Sequence, residues 1–425
     1  MENVKNLCKY LDRAHSVYHA VDALQEQLAG EGYTRLSEGE NWELAPGGKY
    51  MLTRNSSALI AFRIPTAAPK GFLISASHAD RPTFKVKENA VLTGSYTRLA
   101  VERYGGGILF TWLDRPLSVA GRVLVETENG VESRLVDIDR DLLMMPNVAI
   151  HLNRTVNDGY KWNPAVDTVP LLGDKETADF WNALEAVAGG RILGHDLYLY
   201  VRQKASVWGM NDEFISAQAL DDLACAWCCT QGFLNSEETE NIPVLAVFDS
   251  EEVGSGSYQG AASDLLKNAI GRICKAVGLD KKCMLANSFL VSADNGHALH
   301  PNHPELSDAA NAPMLNGGVV LKFNANQRYT TDGVSAAIFR KICAGAGVPV
   351  QTYCNRADLP GGSTLGNISL SQVAVPSVDI GLPQLAMHSC YETCGAKDIT
   401  AFVKAMTAYY GTKLTFTGDG SCQMG

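Results

Sequence analysis

Residues 71–80 read GFLISASHAD, an almost unbroken apolar run that ends in His78 and Asp80. A strand that is apolar at successive positions, not alternate ones, is buried on both faces, as in a parallel sheet covered by helices on each side. Three other stretches repeat the design. IPVLAVF (242–248) is followed by Asp249-Ser250-Glu251-Glu252, and SFLVSA (288–293) by Asp294. VPSVDIG (375–381) leads through a short loop to His388. Open α/β sheets bind ligands beyond the carboxyl ends of their strands, so the residues that follow each run carry the functional reading.

Working outward, Ser16 opens a helical pattern of Val17, Ala20, Val21, Leu24 and Leu28 that stops near Gly30 and Gly32. Short strand-like runs follow, KYMLTR (49–54) and SALIAFRI (57–64). From about Val86 to Gln203 the texture changes. GGILFTWL, VAGRVLVET and SRLVDI are short, β-branched and separated by turn residues, with one helical stretch near Ala178 to Val187. After it the βα alternation returns, beginning with ALDDLACAWCCTQGFL as a helix and ending with a helix around DITAFVKAMTAYYG. The simplest account is an α/β domain, residues 1–86 and 209–425, interrupted by a β-rich insertion at 87–208.

Composition narrows the function classes. The 425 residues are 46% hydrophobic and 19% charged, as a folded globular chain requires. Lys plus Arg number 36 against 46 for Asp plus Glu, a net charge of −10, whereas nucleic acid and anionic membrane surfaces both select a basic face. Neither partner is expected. Of eleven cysteines only Cys225 and Cys228 show a C-x-x-C spacing, which reads as the reduced thiols of a cytoplasmic protein. The start, MENVKNLCKYLDRAHSVYHA, carries acids and no apolar core, so no leader is expected there. No apolar run approaches the ~18 residues that would span a bilayer.

The strand ends bring His78 and Asp80, Glu251 and Glu252, Asp294 and His388 to one edge, and Asp221-Asp222 opens a helix. Singly each is weak: a lone histidine at a strand end is usually structural, and paired acids favour a helix N-terminus electrostatically. Together they have the composition of a two-metal hydrolase site. Three carboxylates and one bridging hydroxide balance two divalent cations, and two imidazoles complete a mixed N/O ligand set that zinc accepts. Asp80 lies close enough to orient His78, and a glutamate left free beside a metal-bound water is a general base. Spacing leaves open which of Asp221 and Asp222, and which of Glu251 and Glu252, would be the ligand.

Three decoys fail. The glycines of Gly254-Ser255-Gly256 do not continue as G-x-G-x-x-G, and two preceding glutamates would repel a pyrophosphate. No G-x-S-x-G elbow surrounds Ser255 or Ser257. His297, His300 and His303 stand at three-residue spacing, but Pro301 and Pro304 break any helix that would align them, so they read as mainly structural.

Over its full length the chain resembles the aspartyl aminopeptidase family of dinuclear zinc metallopeptidases. The matching stretches are SVYHAV, SHADRP, YGGGILFTWLDRPLSVAGRV, IHLNRTVN, LDDLACAW, FDSEEVGSGSYQGA, SADNGHALHPNHPE, FNANQRYTTDG, GGSTLGNI and PQLAMHSCYE, in the family's order. The resemblance implies a mixed-sheet metallopeptidase catalytic domain interrupted by a β-rich dimerisation domain. It implies that His78, Asp221 and Asp294 hold one metal, and that Asp221, as a bridge, shares the second with Glu252 and His388. Glu251 falls on the general base and Asp80 on the acid that orients His78. His151 matches a histidine presented to the neighbouring subunit's site, Lys322 a lysine that meets an acidic substrate side chain, and Gly362 a loop beside the substrate backbone. Taken alone, Lys322 reads as a solvated strand residue.

The implied cofactors are two divalent ions, zinc first, with manganese or cobalt as alternatives at one site. The implied assembly is a tetrahedral dodecamer built from dimers, acting on peptides with a free N-terminus. Asp80 sits in Ala79-Asp80-Arg81-Pro82 where the family has Thr-Asp-Ser-Pro, and Arg81 adds a positive charge near the site. The expected reaction is release of N-terminal Asp or Glu by a metal-bridging hydroxide generated by Glu251. The alternatives are an aminopeptidase of apolar preference, a dinuclear deacetylase or carboxypeptidase, and a non-catalytic scaffold on a peptidase shell.

Overall fold

The computed structural model describes residues 1–175 and 179–425. Its centre is a nine-stranded mixed sheet in which four neighbouring strands run parallel: Asn241–Phe248, Gly71–His78, Phe289–Ala293 and Ser377–Gly381. These are the four apolar runs of the sequence, and all four are buried at every position. Their successive side chains serve two cores. Phe72, Ile74 and Ala76 pack with Val244, Ala246, Phe248 and the helix Leu265–Val277 on one face. Leu73, Leu245 and Val247 pack with the helices Val17–Gly30, Leu220–Asn235 and Ala396–Tyr410 on the other. Each fully buried Leu, Ile or Phe contributes roughly 1.5–3 kcal/mol, which holds the sheet between its two helical layers.

The parallel register brings the strand ends level. Phe248 pairs with His78, and Asp294 donates its N–H to the Ile380 carbonyl at 3.0 Å. Immediately past this edge the chain leaves the sheet. The strand Thr83–Leu92 starts a six-stranded antiparallel sheet that also contains Thr97–Tyr104, Leu117–Thr127, Gly130–Asp137, Leu171–Gly173 and Ile192–Val201. Phe84, Val86, Leu99, Val119, Val123, Leu197 and Leu199 form its core, closed by Phe180 and Leu184 of the helix Phe180–Ala188. That helix covers the expected helical stretch, except that Ala178 lies outside the described residues. Pairing of Thr83 with Tyr104 returns the hairpin to the edge it left.

A small five-stranded sheet adds Ser206–Trp208, Phe214–Ala217, Glu392–Gly395, Pro383–Leu385 and Gly296–His297 beside the same edge. All eleven cysteines are free, most of them buried. Among the described residues, no helix is long and apolar enough to cross a membrane.

Candidate active site

His78 closes its strand with its ring buried. Its Nδ1 lies 3.2 Å from the Asp80 carbonyl and 3.3 Å from Asp80 Oδ1, which leaves Nε2 facing Asp221 Oδ1 at 3.8 Å and Glu251 Oε2 at 4.0 Å. His388, at a positive φ of 66°, repeats the arrangement. Its Nδ1 is 3.3 Å from the Gly106 carbonyl, and its Nε2 is 3.4 Å from Asp221 Oδ2 and 3.3 Å from Glu252 Oε1. A histidine whose Nδ1 is held by an oxygen offers Nε2 as a lone pair, the state a metal ligand needs.

Asp221 stands between the two rings. The expected helix does begin here, but its first turn is unwound: Ala219 is left-handed, Asp221 has φ −85° and ψ 110°, and regular helix starts only after Asp222. The two aspartates therefore diverge. Asp221 turns its carboxylate to the histidines, while Asp222 Oδ2 accepts the backbone N–H of His78 at 3.2 Å on the protein side. Glu251 and Glu252 diverge in the same way on a short 3-10 turn, Glu251–Val253. Glu252 reaches His388, whereas the Glu251 carboxylate makes no hydrogen bond among the described residues and lines the cavity.

Ligand-type atoms of His78, Asp221 and Asp294, of His78, Glu251 and Glu252, and of Asp221, Glu252 and His388 lie within 4.8 Å of one another in each group. The electrostatics are those of a site built around cations. Burial lifts Glu251 to about 7 and Asp294 to about 6, and lifts Glu252 well above its ordinary range, with neighbouring carboxylates adding to each. Burial would lower His388, but the hydrogen bond to Asp221 and the charge of Glu252 outweigh it and raise the ring to about 10. Asp221 Oδ1 and Glu252 Oε1 are buried without a hydrogen-bond partner among the described residues, which polar atoms in a closed core almost never are. Converging N and O donors with orphaned carboxylate oxygens fit zinc.

The cavity holds about 300 Å³ and is lined by His78, Asp221, Glu251, Asp294, Asn295, Gly296, His297, Lys322, Tyr329, Gly362, Ser363, Thr364, Met387 and His388. Lys322 is not the solvated strand residue its local sequence suggests. It is 1% exposed, and its Nζ donates to the carbonyls of Asp294 and Asn295 at 2.6 and 3.0 Å. Gly362 lies on the wall, and of the three histidines at three-residue spacing only His297 does. His151 is exposed on a turn of the β-rich unit and does not line this cavity. Arg81 is also elsewhere: its guanidinium is buried and donates to the Ala14 carbonyl at 2.5 Å, between the first two helices, so its charge is not presented to this cavity.

Two supporting carboxylates give the site its rigidity. Asp80 does more than orient His78: its oxygens accept the backbone N–H of Glu251 at 3.0 Å and of Glu252 at 3.1 Å, which caps the turn that presents both glutamates. Glu392, buried and unremarked in the sequence beyond its place in PQLAMHSCYE, accepts the N–H of Asp221 at 3.0 Å and of His388 at 2.6 Å. Nothing in the spacing of Glu392 signals that it joins the two, because Asp221 lies 171 residues away, although His388 is only four residues off.

Comparisons with known proteins show the family. The family model described as aminopeptidase I zinc metalloprotease (M18) matches residues 10–410. A probable M18 family aminopeptidase 2 of Clostridium acetobutylicum is 42% identical over 427 residues, covering 96% of this chain and 99% of that one. A chain of the Ape4 and Nbr1 complex is 36% identical with a TM-score of 0.92, covering 96% of this chain and 85% of that one. The mApe1 dodecamer of Saccharomyces cerevisiae is 26% identical with a TM-score of 0.84, covering 96% of both chains. The chain therefore belongs to the M18 family of zinc aminopeptidases, and is a hydrolase.

Proposed function

We propose that this aminopeptidase removes N-terminal Asp or Glu from peptides, with Glu251 as its general base. The observation that carries the reading is the meeting of two histidine–carboxylate clusters at Asp221, in one cavity with a free glutamate and a buried lysine. His78, Asp221 and Asp294 would hold one zinc ion, and Asp221, Glu252 and His388 a second, with manganese or cobalt as alternatives there. Bound ions would polarise the first peptide carbonyl and acidify water.

The chain's own residues do the rest. Glu251, whose carboxylate makes no hydrogen bond among the described residues and is lifted to about 7 by burial, takes a proton from the attacking water and returns it to the leaving amine. Asp80 keeps His78 in its ligand tautomer and fixes the direction of Glu251 through the turn. Lys322 has two of its three N–H groups on carbonyls and its Nζ lies 3.7 Å from Asp294 Oδ1, which leaves the third N–H for an acidic side chain at the cavity. Gly362 leaves room for the substrate backbone.

The β-rich insertion, residues 87–208, is the dimerisation domain in this reading, and its exposed His151 serves the partner's site. The assembly is a tetrahedral dodecamer of such dimers, a reading supported by the dodecameric relative. Free, mostly buried thiols support a cytoplasmic setting. The test is hydrolysis of Asp-, Glu-, Leu- and Arg-anilides with added zinc and with a chelator. Chelator-sensitive cleavage of Asp and Glu alone is expected. Preference for Leu would refute the acidic specificity, and zinc binding without any cleavage would favour a scaffold.

A further inference from the structure

The β-rich unit does not merely adjoin the site. Its hairpin leaves the catalytic sheet just after Asp80 and Pro82 and returns through the pairing of Thr83 with Tyr104. This register delivers the Tyr104 hydroxyl to Asp80 Oδ2, to which it donates at 2.8 Å. Asp80 Oδ2 is the same oxygen that accepts the Glu252 N–H, so the phenol completes the cap of the turn carrying both glutamates.

The next residues grip the opposite arm. Gly105, at φ +72°, lies so near Glu252 that an added Cβ would stand 3.2 Å from the Glu252 Cβ. The Gly106 carbonyl faces His388 Nδ1 at 3.3 Å, and Ile108 donates its N–H to the His388 carbonyl at 2.9 Å. One five-residue segment thus touches both Glu252, on the turn after the central strand Asn241–Phe248, and His388, in the turn between Pro383–Leu385 and Glu392–Gly395 of the five-stranded sheet. A side chain at Gly105 would have to adopt a left-handed backbone and displace Glu252 at once.

We infer that Tyr104 and the Gly105–Ile108 segment form a positioning element, supplied by the β-rich unit, that sets the separation of Glu252 and His388 and steadies the turn bearing Glu251. The inference rests on the reading of Glu252 and His388 as metal ligands. Tyr104 touches no substrate in this scheme; it acts through Asp80. The consequence is that catalysis is coupled to the placement of the β-rich unit.

The test uses the full chain with Tyr104→Phe, which removes only the hydroxyl, and Gly105→Ala, which tests the close approach. Zinc affinity is measured by competition with a chromophoric chelator, and the thermal midpoint on metal-free protein. Removal of a group that orients a ligand costs roughly tenfold to a hundredfold in metal affinity or activity. Zinc affinity at the site of Glu252 and His388 should fall by about that factor in Tyr104→Phe, with the metal-free midpoint unchanged. In the cleavage assay kcat should fall while KM stays within about twofold, as for a group that acts only on the transition state. Unchanged zinc affinity in Tyr104→Phe would overturn the inference, as would an affinity loss matched by a drop in the metal-free midpoint. If wild-type protein binds zinc but cleaves none of the anilides, the peptide reading fails while the zinc titration still decides on Tyr104.

Discussion

Glu392 offers the sharpest separation of positioning from folding. Its two oxygens accept the backbone N–H groups of Asp221 and His388, and it is 1% exposed. Burial, with the charge of Asp221, lifts it to about 8. Glu392→Gln keeps the shape but leaves one of the two N–H groups without an acceptor, so some metal-free stability is lost and the zinc affinity should fall by more. Cation binding at Asp221 and His388 favours the carboxylate, which accepts both N–H groups; glutamine accepts only one. A hydrogen bond to a charged group contributes about 1.5–3 kcal/mol, which is tenfold to a hundredfold in zinc affinity. Chelator competition on wild type and Glu392→Gln, with metal-free thermal midpoints alongside, reads both quantities. Wild-type zinc affinity in the variant, or an equal loss in the metal-free midpoint, would refute the reasoning.

Three further outcomes are expected. Glu251 works as a base only when deprotonated, and burial raises it to about 7, so kcat should climb as pH rises through that value; the residual activity of Glu251→Gln should lack that limb. Lys322→Met should remove discrimination between Asp- and Leu-anilides, and a variant that still prefers Asp by the wild-type ratio would release Lys322 from its role. Native mass measurement should find a dodecamer, and a stable, fully active monomer would contradict both the cage and the part given to His151.

The central sheet was readable because doubly buried strands need apolar residues at every position, and few other structures do. GFLISASH, IPVLAVF and SFLVSA announce themselves in that way, and their parallel order puts His78, Glu251, Glu252 and Asp294 at one edge. Other features depend on contacts far apart in sequence. LDDLACAW has an uninterrupted helical composition, so nothing local shows that Asp221 is held out of the helix; Glu392, paired with Ala217 on the neighbouring strand, accepts its N–H there. Lys322 looks solvated because only the fold places the Asp294 and Asn295 carbonyls around its ammonium. Tyr104 is an ordinary strand residue until the hairpin register sets it opposite Thr83 and beside Asp80. Arg81 shows the converse, a charge adjacent in sequence to the site but turned towards Ala14.

The most direct measurement on the central claim is the turnover of Glu251→Gln at full zinc occupancy, with metal content verified on the same sample. Loss of general-base chemistry should lower kcat by ~10² to 10⁴ while zinc stoichiometry matches wild type. Wild-type turnover in a fully loaded variant would show that Glu251 is not the base.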